Sequence, residues 1–140
     1  MVGIETKYKK VYSSGKRKAA VARAIIQTGT GKVKFNGRDY KNLEFLKRLR
    51  IEEPIRLAEN LFGKLEIDCV LNVKGGGAEG QIDAARLALA KGLIAFTQST
   101  ELKNAFLSYD RTLLVADSRR KETRKPGDSK ARAMRQTSYR

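Results

Sequence analysis

Basic side chains able to bind phosphate are concentrated at the two ends of this 140-residue chain. Residues 118–140 contain nine Lys or Arg and two acids, and residues 1–23 contain seven and one. Residues 24–117 are nearly balanced, with 14 basic and 12 acidic residues. Concentrated charge of one sign repels itself unless a counter-charge is present. The distribution predicts a single folded domain at 1–117, with a basic N-terminal segment, and an extended basic tail at 118–140.

The side chains of the tail indicate what it binds. Six of its nine basic residues are Arg, whose planar guanidinium pairs with phosphate and stacks on bases. Ser, Thr, Gln, Gly and Pro separate them, so the segment offers little to a membrane. RNA or DNA is therefore the first hypothesis. Two solubilising disordered ends, or a general nucleic-acid chaperone that coats DNA and RNA equally, are the alternatives that charge leaves open.

The composition argues against catalysis. Histidine is absent, which removes the usual general base near neutral pH and the commonest zinc ligand. The one cysteine, Cys69, lies in the strand-like run 65–73 and is predicted to be a core thiol, because no histidine could activate it. We expect neither a metal nor a cofactor, and we predict that the protein is not an enzyme.

Long apolar segments are also missing from the sequence. No stretch approaches the ~20 apolar residues that a membrane span requires, and the first residues lack the apolar run of a signal peptide. The sequence therefore predicts a cytoplasmic protein with no membrane partner.

A glycine-rich loop is the one motif that could suggest an enzyme. Gly75, Gly77 and Gly80 fit G-x-G-x-x-G after a predicted strand and before a predicted helix, as in dinucleotide-binding proteins. That fold also needs an acidic residue after a second parallel strand, but Glu101 follows a polar stretch. Gln81 stands where a triphosphate-binding loop has Lys. A nucleotide-dependent enzyme remains the alternative. Otherwise the glycines allow close backbone approach, and the helix start offers N–H groups to an RNA phosphate.

The first third of the chain has the alternation of strands. We predict strands at Lys9–Ser13, Ala19–Gln27 and Lys32–Phe35, joined as an antiparallel meander. Residues 14–18 are predicted to form a polar turn, and Asn36-Gly37 a tight one.

Helical periodicity begins after residue 42. Residues 43–61 predict two short helices, with Pro54 near the start of the second, and Leu65–Val73 predicts a strand. A longer helix follows Gly80, and another spans Leu102–Tyr109. One narrow stripe of the long helix carries its core residues: Ile82, Ala85, Leu89, Leu93 and Phe96. Arg86 lies in the same stripe, where it could pair with a carboxylate or contact RNA. The mixture predicts an α+β fold, a mostly antiparallel sheet with helices on one face.

Residues 75–93 resemble, over their whole length, the signature of the small-subunit ribosomal protein nine family. Four further blocks agree in order: residues 15–24, 36–38, 109–117 and 135–140, the last two resembling the archaeal and eukaryotic branch. The resemblance implies the ribosomal protein S5 domain 2-like fold with a left-handed β-α-β crossover, an exception to the usual handedness. It also implies a place in the head of the small ribosomal subunit, beside ribosomal RNA and neighbouring ribosomal proteins.

The same resemblance implies roles for individual residues. The tail would reach the peptidyl-site tRNA, with Tyr139 and Arg140 contacting it. The glycine loop of the family corresponds to Gly75, Gly76, Gly77, Gly80 and Gln81. Ser118 replaces a usual Pro, which would loosen the turn that aims the tail. Basic positions matching the family predict contacts with ribosomal RNA: Lys16, Arg17, Lys18, Arg23, Arg38, Arg86, Arg111, Arg119, Arg120, Lys130, Arg132 and Arg135.

Overall fold

The computed structural model describes residues 10–127, 130–134 and 138 and contains a five-stranded sheet. The strands are β1 (Lys10–Arg17), β2 (Ala20–Thr28), β3 (Val33–Phe35), β4 (Arg38–Asp39) and β5 (Ile67–Lys74). Their order across the sheet is β1-β2-β5-β3-β4. All neighbours are antiparallel except β3 and β5, which are parallel. The sheet is therefore mixed but mostly antiparallel, as predicted.

The predicted meander of the first three strands is wrong. β3 does not pair with β2, because β5 lies between them. The chain leaves β3 through the Asn36-Gly37 turn, where both residues have positive φ. It later returns as β5, which lies beside β3 and parallel to it. This makes a β-α-β unit, and the left-handedness of its crossover stays a prediction.

The first strand is longer than predicted. Residues 14–17, predicted as a polar turn, belong to β1, and the turn is limited to Lys18 and Ala19. Lys18 has a φ of +52° there. Polarity misled the prediction because alternate side chains of β1 face away from the core, and a strand with one solvated face is polar at those positions.

Three helices accompany the sheet, α1 (Phe45–Phe62), α2 (Ala78–Thr97) and α3 (Thr100–Tyr109). Single 3-10 turns cover Tyr40–Asn42 and Arg111–Leu113. The two short helices predicted around Pro54 are one 18-residue helix with the buried Pro54 inside it. Its neighbours Ile51 and Ala58 are also buried, so tertiary packing holds the helix through a residue that usually breaks one.

Helix α2 lies on one face of the sheet and contacts β1, β2 and β5. All five residues of its predicted apolar stripe are buried, which confirms that prediction. The helix comes very close to β1, since a Cβ added to Gly15 would clash with the Ala84 carbonyl oxygen. The Ser13 hydroxyl donates to the Ala88 carbonyl oxygen at 2.7 Å. Helix α1 packs on α2, and α3 packs on both.

The core lies between the sheet and the helices. Alternate residues of β2, from Ala20 to Ile26, are fully buried together with Leu71 of β5. Cys69 belongs to this core, and burial raises the pKa of its thiol to about 12, which confirms a core thiol. The α+β class is likewise confirmed. The opposite face of the sheet carries no helix from the described residues.

Neither a membrane-spanning helix nor a metal-binding cluster occurs among the described residues. None of the helices described here combines the length and the apolar character needed to cross a bilayer. Within residues 10–127, 130–134 and 138, no group of His, Cys, Asp or Glu side chains could hold a metal ion.

Candidate nucleic-acid interface

The glycine loop packs against the turn between β1 and β2. Gly75 and Gly76 have φ values of +76° and +66°. A Cβ on Gly75 would lie 2.7 Å from the Ala19 carbonyl oxygen, and one on Gly76 would lie 2.8 Å from the Ala20 nitrogen. The Gln81 amide donates to the Gly75 carbonyl oxygen at 3.1 Å. These glycines therefore serve the close backbone approach that was one of the two interpretations of the motif.

The topology contradicts the dinucleotide interpretation of the loop. Gly80 lies inside α2, which begins at Ala78 with Gly77 as its N-cap. The chain continues from α2 into α3, and the described residues after α2 contain no further strand. A dinucleotide-binding unit needs that strand to carry its ribose ligand. Gly77 has open space around it and provides no side-chain cap, and a phosphate contact at the start of α2 stays a prediction.

Arg86 is engaged inside the fold. Its guanidinium lies 2.6 Å from a Glu53 carboxylate oxygen and 3.0 Å from one of Asp110, and its side chain is only 16% exposed. Burial raises the pKa of Asp110, but hydrogen bonds from Thr112 and Arg86 outweigh it and keep that pKa below its usual value. Of the two interpretations open for Arg86, the carboxylate pair is the one present; its contact with RNA stays a prediction.

A second cluster of paired charges fixes the start of the tail. Arg17 pairs with Asp117 and lies 3.7 Å from Asp83 of α2. Asp117 accepts the backbone N–H of Arg119 at 2.7 Å and its Nε–H at 2.9 Å. These hydrogen bonds from Arg119, with that from Arg17, hold the pKa of Asp117 far below its usual value. We call Arg17, Asp117 and Arg119 the tail clamp. The clamp holds the chain on both sides of Ser118.

The basic residues of the open sheet face form a different group. Alternate residues of β1 and β2 face away from the core, which places Lys16 and Arg23 on one surface. Lys34 and Lys74 share it, because Lys34 is aligned with Val70 in the neighbouring strand and Lys74 with Val21. All four side chains are exposed and none makes an ion pair with another described residue. The sequence prediction included Lys16 and Arg23 but missed Lys34 and Lys74.

The missed pair had a signal in the sequence. Strict alternation in residues 32–35 places Lys34 on the face of the sheet opposite to that of the buried Val33 and Phe35. The same alternation in β5 separates Lys74 from Val73. What the sequence lacked was the strand order that brings these positions onto the face already occupied by Arg23.

The other predicted contacts are spread over the surface. Lys18 lies in the β1–β2 turn, Arg38 in β4 and Arg111 in the second 3-10 turn, all exposed. In the tail, residues 118–127 are exposed and lie outside helices and strands, with a turn at Pro126 and Gly127. Arg120 and Lys130 are exposed there, and Arg132 pairs with Glu122 at 3.0 Å while remaining 88% exposed. Arg135, Tyr139 and Arg140 lie outside the described residues.

Comparison with known proteins gives this surface its context. The chain belongs to the family described as ribosomal protein S9/S16, whose model matches residues 15–140. It is 47% identical to small ribosomal subunit protein uS9 of Methanococcus vannielii over 136 residues, 94% of this chain and 99% of the relative. It is also 47% identical to the uS9 proteins of Thermoplasma volcanium and Pyrobaculum aerophilum, over 93% of this chain in both cases and 98% and 91% of those relatives.

These comparisons confirm the predicted family. The matched relatives named above are all archaeal, in keeping with the branch that the sequence resembled. The family is a structural, non-enzymatic one, which confirms the prediction that the protein is not an enzyme.

Proposed function

We propose that this protein is a structural constituent of the head of the small ribosomal subunit, where it binds ribosomal RNA and, through its tail, the peptidyl-site tRNA. The observation that carries the proposal is the family match, which extends from residue 15 to residue 140 and so includes both the folded domain and the tail. The relatives are named as proteins of the small ribosomal subunit. Its place of action is then the cytoplasm, beside neighbouring ribosomal proteins.

Charge supports the RNA contact. The formal net charge is +15, and the exposed basic residues of the open face and the tail make it available to a polyanion. We assign the main contacts to the residues without an ion pair among the described side chains: Lys16, Lys18, Arg23, Arg38, Arg111, Arg120 and Lys130. Arg17, Arg86, Arg119 and Arg132 already hold carboxylates, so we assign them only minor contacts with RNA.

Division of labour between the domain and the tail is part of the same proposal. Residues 1–117 act as the anchor and residues 118–140 as the appendage, with the tail clamp at the boundary. Arg135 would continue the line of RNA contacts. Tyr139 and Arg140, which match the last positions of the family, would reach the tRNA.

Salt dependence of RNA binding tests the proposal on the full-length chain. In one variant Arg120, Arg124 and Lys130 of the tail become Gln. In a matched control, three lysines outside the tail and the open face become Gln. They are Lys64 after α1, Lys91 in α2 and Lys103 in α3. Each lost phosphate contact should reduce the slope of log affinity against log salt by about 0.7 to 0.9. We expect a reduction of roughly 2 to 3 for the tail variant and little change for the control.

Two results would contradict this account. Equal slopes in the two variants would show that position in the tail does not matter. Equal affinity for small-subunit ribosomal RNA and for unrelated RNA or DNA, with footprints scattered along each, would favour a general nucleic-acid chaperone instead.

A further inference from the structure

The open face of the sheet carries an exposed aromatic ring that no described residue covers. Tyr12 of β1 is 72% exposed, the largest exposed fraction of any aromatic residue in the sheet. It lies directly opposite Ile25 of β2, which in turn lies opposite Val70 of β5. Arg23 is the diagonal neighbour, about 7 to 8 Å away by Cα positions, within reach of a long side chain. The aromatic ring of Tyr12 thus shares this face with the apolar Ile25 and Val70 and with the guanidinium of Arg23.

Two shallow hollows run across this face and meet. One is lined by Tyr12, Ser14, Arg23, Ile25 and Asn72, with adjoining backbone. The other is lined by Val21, Arg23, Asn36, Asn72 and Lys74. Arg23 and Asn72, which are aligned in neighbouring strands, belong to both. The hollows therefore form one groove that leads from the aromatic ring to the lysine at the end of β5.

The charges along the groove suit an anion. Lys16 and Lys74 lie on either side of Val21 in register, about 10 Å apart at the usual strand spacing. The acids on this face are Asp39 and Asp68. Asp68 accepts the backbone N–H groups of Thr30 and Lys32 at 2.8 and 2.9 Å, and Asp39 accepts that of Lys41 at 3.0 Å. Both carboxylates are thereby turned toward loop backbone at the side of the groove away from Lys16.

We propose that this open face binds an unpaired nucleotide of RNA, whose base stacks on Tyr12. Arg23 would donate hydrogen bonds along the groove, Asn72 would donate and accept them, and Lys16 and Lys74 would pair with the flanking phosphates. Every base has a flat face that an aromatic side chain can cover, and exposed sheets carrying such rings bind single-stranded RNA. A base inside a duplex has both faces occupied, so the nucleotide must be unpaired. This inference rests on the proposed ribosomal function and adds a recognition site to it.

Substitution of Tyr12 separates stacking from charge. The probe is full-length small-subunit ribosomal RNA transcribed in vitro, bound to the full-length protein in a filter assay. Tyr12→Ser should weaken binding between roughly five-fold and a hundred-fold, and Tyr12→Phe, which keeps the ring, should change it by less than about two-fold. The slope against salt should be the same in both, because no charge is removed. Phe45→Ser is the matched control, since Phe45 is 67% exposed at the start of α1, and it should leave affinity unchanged.

Ultraviolet cross-linking supplies the second measurement. In the bound complex Tyr12 should cross-link to a nucleotide that chemical probing shows to be unpaired. If Tyr12→Ser lowers the melting temperature of the free protein, the cross-link of the unchanged protein decides the matter, and its absence overturns the site. A cross-link from Tyr12 to another protein in a reconstituted subunit would also overturn it, in favour of a protein partner.

The outcomes distinguish this site from the proposed function. If the unchanged protein binds the RNA and Tyr12→Ser binds equally well, the stacking site is wrong and the ribosomal function stands. If the unchanged protein fails to bind the RNA at all, both are wrong.

Discussion

The cations of this protein fall into two regions that differ in what already holds them. Arg17, at the end of β1, and Arg86, in α2, are paired with carboxylates and largely shielded from solvent. Across the open face, Lys16, Arg23 and Lys74 are exposed and make no ion pair with any described residue. A guanidinium between two carboxylates is part of the fold, whereas an exposed one beside an apolar hollow is available to a phosphate. Whether a basic side chain already has a carboxylate partner, more than whether it is Lys or Arg, separates structural from binding positions.

The largest effect that would test this comparison is on stability at Arg86. Arg86→Met should reduce the free energy of unfolding by about 2 to 3 kcal/mol, because Glu53 would lose its cation and Asp110 would keep only its hydrogen bonds from Thr112 in a half-buried site. Urea denaturation measures this change. RNA affinity of the folded variant should stay close to that of the unchanged protein. A large loss of affinity with unchanged stability would move Arg86 into the binding group.

The second effect concerns the tip of the tail. Arg140→Ala should weaken retention of tRNA in the peptidyl site by about 1 to 3 kcal/mol, the usual size of one charge-assisted contact. Assembly into the small subunit should stay nearly normal, because many other contacts hold the protein. Incorporation of the protein into reconstituted subunits measures assembly, and filter binding of tRNA to those subunits measures retention. Equal losses in assembly and tRNA binding would show that the tip has no role of its own.

The third effect is a loss of stability in acid that depends on the tail clamp. The folded-state pKa of Asp117 is depressed, so its ionised form stabilises the protein above the unfolded value of about 3.9. That contribution disappears as the pH falls below about 4 toward the folded pKa. Asp117→Asn should therefore melt lower than the unchanged protein at pH 7, and the difference should shrink in acid. A difference in melting temperature that is constant from pH 7 to pH 3 would contradict the clamp.

The smallest effect on stability is expected on the open face. Arg23→Gln should change the free energy of unfolding by less than about 0.5 kcal/mol, because the side chain is exposed. The slope of RNA affinity against salt should nevertheless fall by about 0.7 to 0.9, as for one lost phosphate contact. Melting curves and filter binding of the same preparation provide both numbers. A destabilised protein with an unchanged slope would place Arg23 with the paired group.

Local pattern predicted the parts of the fold in which burial alone decides structure. The stripe of α2 is such a case, since five apolar residues at helical spacing face one way whatever lies beneath them. The pattern failed where a distant segment decides. Pro54 remains inside one helix because of packing, and β3 pairs with β5 more than 30 positions away in the sequence. No local rule could have placed β5 between β2 and β3.

The candidate site shows the same limit. Its basic residues could be found by charge and by resemblance to a family, but their state of pairing could not. The sequence placed Arg86 in an apolar stripe but left open whether it pairs with a carboxylate, and the positions of Glu53 and Asp110 show that it does. Tyr12 escaped notice for a related reason. Its exposure follows from its place on the solvated side of β1, a strand whose second half the sequence predicts to be a turn.

The tail clamp also sets a length scale. Since Asp117 fixes the chain at Arg119, the 21 residues that follow can extend at most about 70 to 75 Å from that point. Every target of the tip must lie within a sphere of that radius, and a shorter tether confines the tip to a smaller volume and raises its effective concentration there. Lengthening the tail would therefore lower the effective concentration of the tip near its target, even if every contact residue were kept.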